Sequence, residues 1–177
     1  MRTVRLITAG GTFEKTYDER TGKLDNGTSM VRRMLSRLRL EDTAVNIIEL
    51  MSKDSLFMDD NDRSQIVQAV RGACGDPSDP RAASGIVVLH GTDTLTVTGE
   101  RLNADIPSPR VPIVLTGAMR PYELKRSDAI QNLTESIFAT GVLPPGVYCV
   151  AHGRSLKFPG VVKDRERGTF MMAPPGR

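Results

Sequence analysis

The chain has 177 residues, 39% hydrophobic and 25% charged, enough for one globular domain with its own core and too polar for a membrane bundle. A net charge of +3 and a sequence pI near 9.1 make it mildly basic, but aromatics are 5%, Trp is absent and the basic residues are interspersed with acids, which argues against a nucleic-acid surface. Its two cysteines are too few for a disulfide framework.

In chain order, short β-branched apolar runs alternate with helical patterns. "VRLIT" (4–8) predicts the first strand and ends at "AGGTFEKTYD". The stretch "TSMVRRMLSRLRL" (28–40) predicts a helix with Met30, Met34, Leu35 and Leu38 on one stripe and arginines opposite. "AVNIIEL" (44–50) is the second strand, followed by the polar loop "MSKDSLFMDD". "DDNDRSQIVQAVRGAC" (59–74) predicts a helix with an acidic, cap-forming start and Ile66, Val67 and Val70 inward. Cys74 closes it.

"GIVVLH" (85–90) leads into "HGTDTLTVTGE", with a helix beginning near Thr94. "VPIVLTG" (111–117) leads into "TGAMRPYELKRSD". A helix over "SDAIQNLTESIFATG" (127–141) carries Ile130, Leu133, Ile137 and Phe138 inward and stops at Gly141. "GVYCVAH" (146–152) encloses Cys149 and precedes "HGRSLKFPGVVKD". "GDPSDPRAASG" (75–85) and "VLPPG" (142–146) are loops within one domain, and "MMAPPGR" reads as a frayed tail.

Five strand–helix alternations predict a single three-layer α/β domain, with a mostly parallel sheet flanked by helices. Several strands are apolar throughout, as strands covered on both faces are. Open parallel sheets bind ligands beyond the carboxyl ends of their strands, so the loops after the strands are where chemistry is expected. No N-terminal apolar segment resembles a secretory signal and no window suits a membrane span, so the expected compartment is the cytoplasm and no membrane partner is expected.

"AGGTFEK" matches neither the P-loop nor the dinucleotide fingerprint. Gly10 and Gly11 permit a sharp turn that would expose Thr12 at the strand end, or form an ordinary turn. Thr92 and Asp93 offer a hydroxyl and a carboxylate beyond another buried strand, or cap the following helix. Gly117, Ala118 and Met119 offer backbone groups to a small ligand. Asp128 caps the next helix, and Arg120 and Arg126 fit either an anion or solvent. A half-buried lysine, Lys157 or Lys163, can serve as a base on a hydroxyl, although most lysines are solvated. His90 and His152 lie far apart in sequence and no cysteine sits in a ligand-spaced pair, so no metal is expected.

Taken together, "TAGGT", "HGTDT" and "LTGAMRP", in that order, resemble the signature set of the bacterial-type L-asparaginases and glutaminase-asparaginases, over 6–170. "HGTDT" is the most specific. The resemblance implies the fold of that family's N-terminal domain and an amidohydrolase that cleaves L-asparagine to L-aspartate and ammonia through a threonyl acyl-enzyme, without metal or organic cofactor. It makes Thr12 the nucleophile and Tyr17, on the following loop, the proton-transfer partner. Thr92 and Asp93 join a lysine in a second cluster, and "VVKDRERGTF" favours Lys163 over Lys157. Asp93 would keep that lysine cationic and burial would neutralise it, so both states stay open.

The resemblance further places substrate against Gly11, Ser52, Asp54, Ser55, Gly91, Thr92, Asp93, Ala118 and Met119. Asp93 pairs with the substrate ammonium, Thr92 N–H meets the oxyanion and the Ala118 carbonyl meets the amide. Longer members carry a smaller second domain that completes a neighbour's site. This chain resembles the short single-domain members, which implies a lower affinity and a homodimer or homotetramer built from one domain. The alternatives are a glutaminase, an ammonia-supplying amidotransferase subunit, and a catalytically silent amino-acid-binding protein.

Overall fold

The computed structural model describes residues 1–26, 29–76, 78–79 and 82–174. The expected helix start at Thr28, part of the 75–85 loop and the last three residues of the tail lie outside the described residues.

Strands β1 (Arg2–Thr8), β4 (Thr43–Glu49), β5 (Gly85–Leu89), β6 (Pro112–Thr116), β7 (Gly146–Ala151) and β8 (Arg154–Lys157) form one sheet in the order β4-β1-β5-β6-β7-β8. All neighbours are parallel except β7 and β8. Two antiparallel ribbons stand apart, β2 (Lys15–Asp18) with β3 (Lys23–Asn26) and β9 (Val161–Asp164) with β10 (Thr169–Met172). The helices are α1 (Val31–Leu35), α2 (Asp60–Cys74), α3 (Leu95–Asp105) and α4 (Ala129–Ala139).

The unbroken apolar strands have a direct cause. Ile7, Ile86, Val88, Ile113 and Leu115 face one core, with Ile66 and Val70 of α2 and Leu95 and Leu102 of α3. Their neighbours Leu6, Val87, Leu89 and Val114 face the other, with Val31 and Met34 of α1 and Leu133 and Ile137 of α4. Successive side chains point to opposite faces, so a strand covered on both sides has no polar position to spare. Helix α2 begins as its acidic start suggests: Asp59 accepts from Asp62 N–H at 2.9 Å and Asp62 accepts from Asp59 N–H at 2.9 Å.

Several expectations need correction. The first helix is five residues long, since only Val31 and Met34 are fully covered. Phe138 is 65% exposed on the outer side of α4. Asp128 sits at the α4 N-cap position but its side chain turns back to the preceding loop instead of capping. The β2–β3 and β9–β10 ribbons replace what the sequence presents as loop; their four-residue strands, such as "KTYD" and "VVKD", bury too few side chains to show a period.

A candidate active site beyond the strand ends

Strands β1, β5 and β6 finish in register, Thr8 beside Leu89 and Leu89 beside Thr116. The loops that follow meet backbone to backbone. Gly11 has φ 87°, and a β-carbon on it would lie 2.4 Å from Gly91 Cα. One on Gly91 would lie 2.4 Å from Ser55 Oγ. Only glycine allows approaches this close, so both positions are fixed by space, and Gly11 by torsion as well. On the far side Gly117 abuts the Thr92 methyl group. Thr12, half-buried at the start of a short 3-10 turn, thus follows directly on the residue that touches Gly91, as Thr92 does on Gly91 itself.

Lys163 enters from β9. Its Nζ donates to Thr92 Oγ1 at 2.8 Å and to Asp93 Oδ1 at 2.9 Å. Thr92 is buried, and the Lys163 and Asp93 side chains are 15% and 29% exposed. The Lys163 bond holds the Asp93 carboxyl below its ordinary range, against the opposing effect of burial. Arg165 Nη1 adds a second contact to Asp93 Oδ1, at 3.1 Å. The ribbon carrying Lys163 is docked on α3: Phe158 lies against Gly99, and Glu100 Oε1 accepts from Gly160 N–H at 2.6 Å. Lys157 stands exposed on β8. Neither Thr92 nor Asp93 is occupied in capping, because α3 begins after Thr94, whose hydroxyl donates to the Ser55 carbonyl at 2.9 Å.

Both the sequence and the fold that carry this cluster have counterparts among known proteins. The sequence pattern described as Asparaginase, N-terminal, fits residues 3–168. The chain belongs to that asparaginase family. A glutamyl-tRNA(Gln) amidotransferase subunit of Methanobrevibacter smithii is 32% identical over 136 residues, 77% of this chain and 30% of the relative. An L-asparaginase of Thermococcus kodakarensis is 35% identical over 115 residues, 64% of this chain and 33% of that enzyme. The solved structure of the thermostable L-asparaginase from the same organism superposes with a TM-score of 0.84 at 26% identity, over 96% of this chain and 51% of that chain. The chain spans about a third of the curated relatives' length and about half of the solved asparaginase chain.

The other expected site residues are placed unequally. Ser55 is buried, with no hydrogen-bond partner for Oγ among the described residues. Asp54 accepts from Leu56 N–H at 3.0 Å and pairs with Lys15 Nζ at 2.8 Å, so its carboxylate is already engaged and is held below the ordinary range, chiefly by Lys15. Ser52 is exposed and lines a cavity of about 320 Å³ with Thr8, Glu14, Ser29, Glu49 and Met51. Ala118 is fully buried, and Met119 N–H donates to Asp128 Oδ2 at 2.9 Å. Tyr17 stands apart from this packing, 56% exposed on β2, its N–H donating to Glu123 Oε2 at 2.7 Å.

His90 supports the site from beneath. Its ring is buried, with Nδ1 2.8 Å from the Gly91 carbonyl and Nε2 2.9 Å from Thr98 Oγ1. Burial is the main cause that pushes its pKa down to about 4, so the ring is neutral at physiological pH. Nδ1–H then donates to Gly91 O, and Nε2 accepts from Thr98. In the sequence His90 figures only as a histidine too far from His152 to suggest a metal site; a histidine one residue before a turn glycine gives no hint of this bond. Arg165 is hidden for a similar reason, since a further basic residue in "KDRER" looks like solvated charge.

Proposed function

We propose that this member of the asparaginase family is a threonine-dependent amidohydrolase that converts L-asparagine to L-aspartate and ammonia. The observation that carries the reading is the Lys163 Nζ bridging Thr92 Oγ1 and Asp93 Oδ1 beside the Gly11–Gly91 contact. In the proposed reaction Thr12 Oγ attacks the amide carbon, the Thr92 N–H faces the developing oxyanion, and ammonia leaves from the resulting tetrahedral adduct. Water then attacks the ester carbon, aspartate departs and the Thr12 hydroxyl is restored. Thr92 and Lys163 move the protons. Asp93 holds the lysine in place and receives the substrate ammonium. Ser55 Oγ, buried and with no partner among the described residues, suits the substrate carboxylate.

Tyr17 takes part only through an inward movement of the β2–β3 ribbon, given its exposure. We further infer a cytoplasmic homodimer or homotetramer; among the described residues no helix is long and apolar enough to cross a membrane. The decisive assay is ammonia release from purified protein and L-asparagine. Release that vanishes in Thr12→Ala is the expected outcome, and release equal in both proteins overturns the reading.

A second reading has its own support. The similarity to the amidotransferase relative covers more of this chain than that to the asparaginase relative, 77% against 64%. An ammonia-supplying subunit would turn over amide weakly alone and strongly in a stable complex recovered by pull-down.

A further inference from the structure

A polar network outside the Thr92–Lys163 cluster joins its two sides. Asp128, at the start of α4, accepts from Met119 N–H and Arg120 N–H, each at 2.9 Å, and from Asn132 Nδ2 at 3.0 Å. Asn132 Nδ2 also donates to the Gly117 carbonyl at 2.8 Å, and its Oδ1 accepts from His152 N–H at 3.0 Å. The His152 ring completes the path: Nε2 is 2.9 Å from Asp128 Oδ2 and Nδ1 is 2.9 Å from Thr169 Oγ1. Thr169 opens β10, where Phe170 is registered opposite Lys163.

Burial works against the Asp128 carboxylate, yet the Met119, His152 and Arg120 bonds keep its pKa below the usual range. A carboxylate only accepts, so His152 Nε2 carries the hydrogen of that bond, while Nδ1 bonds the Thr169 hydroxyl. The backbone of His152 lies at φ 53°, in the left-handed region that non-glycine residues seldom occupy. Polar groups from the β6 loop, α4, the β7–β8 turn and β10 converge on one strained residue.

We propose that His152 is a positioning residue that locks the Gly117–Met119 loop to the β9–β10 ribbon, and so sets the Ala118 carbonyl relative to Lys163. The inference rests on the amidohydrolase reading for its catalytic consequence but not for the lock itself. His152 touches no reacting atom; it acts through the loop on one side and the ribbon on the other. Loss of such a lock misaligns the amide more than it weakens the grip on the substrate's charged ends, so it lowers kcat more than it raises KM.

The test compares His152→Ala, Thr169→Val, the double variant and His152→Asn in ammonia release from L-asparagine and in amide hydrogen exchange. Asn tolerates the left-handed backbone and offers Oδ1 to Thr169, so it keeps half of the lock without the torsional strain. His152→Ala and Thr169→Val should each lower kcat about 10-fold with KM within about 2-fold. The double variant should be no worse than His152→Ala, and His152→Asn should fall between wild type and His152→Ala. Exchange should quicken at 161–172 and at 117–120 while β1 and β5 stay protected. Wild-type kcat in His152→Ala, or losses that multiply in the double variant, overturns the proposal. If wild type releases no ammonia at all, the amidohydrolase reading fails by itself. The lock is then judged by exchange, and unchanged exchange at both segments in His152→Ala refutes it.

Discussion

The strand-end loops and the β2–β3 ribbon follow one another in sequence but are built in opposite ways. Gly11, Gly91 and Ser55 touch so closely that no side chain fits between them, and Thr92 is buried with its hydroxyl bonded to Lys163. The ribbon, four residues later, stands on two short strands with Tyr17 in solvent, tied to its surroundings by the Lys15–Asp54 pair and one backbone bond to Glu123. Groups that must stabilise charge during a reaction belong on the first kind of structure, because their orientation is fixed before substrate arrives. A group that must admit substrate and then cover it belongs on the second.

The sharpest break in the packed half is Lys163→Met. It leaves a similar volume but deprives Thr92 and Asp93 of their shared partner, and the proposed proton path with it. A fall in kcat of about 10²–10⁴ is expected, with the fold preserved by circular dichroism. A rate near wild type would shift the role to another amine and dissolve the contrast.

Gly11→Ala attacks the same half through space and torsion alone. Its β-carbon would meet Gly91 Cα at 2.4 Å from a backbone at φ 87°. Strain and overpacking together should cost about 4 kcal/mol, read from urea unfolding. The same change at Gly22, which has positive φ but open space, isolates the torsional share.

His90 sharpens the comparison by pH. Its folded pKa, about 4, lies below the ordinary 6.5, so between those values the unfolded chain binds more protons. The stability it confers is complete above about pH 6.5 and is lost as pH falls toward 4. The span corresponds to on the order of 3 kcal/mol. Unfolding of wild type and His90→Gln from about pH 7.5 to about pH 4 should show a difference that shrinks over that window, with the other titrating groups cancelling between the two proteins.

How much of this could be read beforehand follows the same division. The five parallel strands and α2 were legible because two-sided burial writes continuous apolar runs and a capped helix writes its own start. The meeting of Thr92 and Asp93 with Lys163 was legible through short motifs and family resemblance, not from spacing, since 71 positions separate Thr92 from the lysine it meets. The ribbons and the edge strand β8 leave no such trace: "KTYD" and "RSLK" bury too little to impose a pattern. Phe138 misleads for the converse reason, being apolar at helical spacing yet on the outer side. The Asp128–His152–Thr169 path is hidden because each residue has an ordinary local explanation and only the fold brings them together.

The gentlest probe addresses the ribbon. Glu123 is exposed, and its Oε2 takes the Tyr17 N–H at 2.7 Å. Glu123→Ala removes that acceptor without touching either core, so global stability should stay within about 0.5 kcal/mol of wild type. The Tyr17 amide should nevertheless exchange roughly fivefold faster, the share of a single net hydrogen bond of about 1 kcal/mol. If the ribbon is held away from the site by this bond, kcat/KM for L-asparagine should rise slightly as Tyr17 moves inward more often. Tyr17→Phe in the same background should abolish that gain. Should Glu123→Ala instead lower the thermal midpoint as much as Gly11→Ala does, the ribbon is part of the packed half and the two regions are not built differently after all.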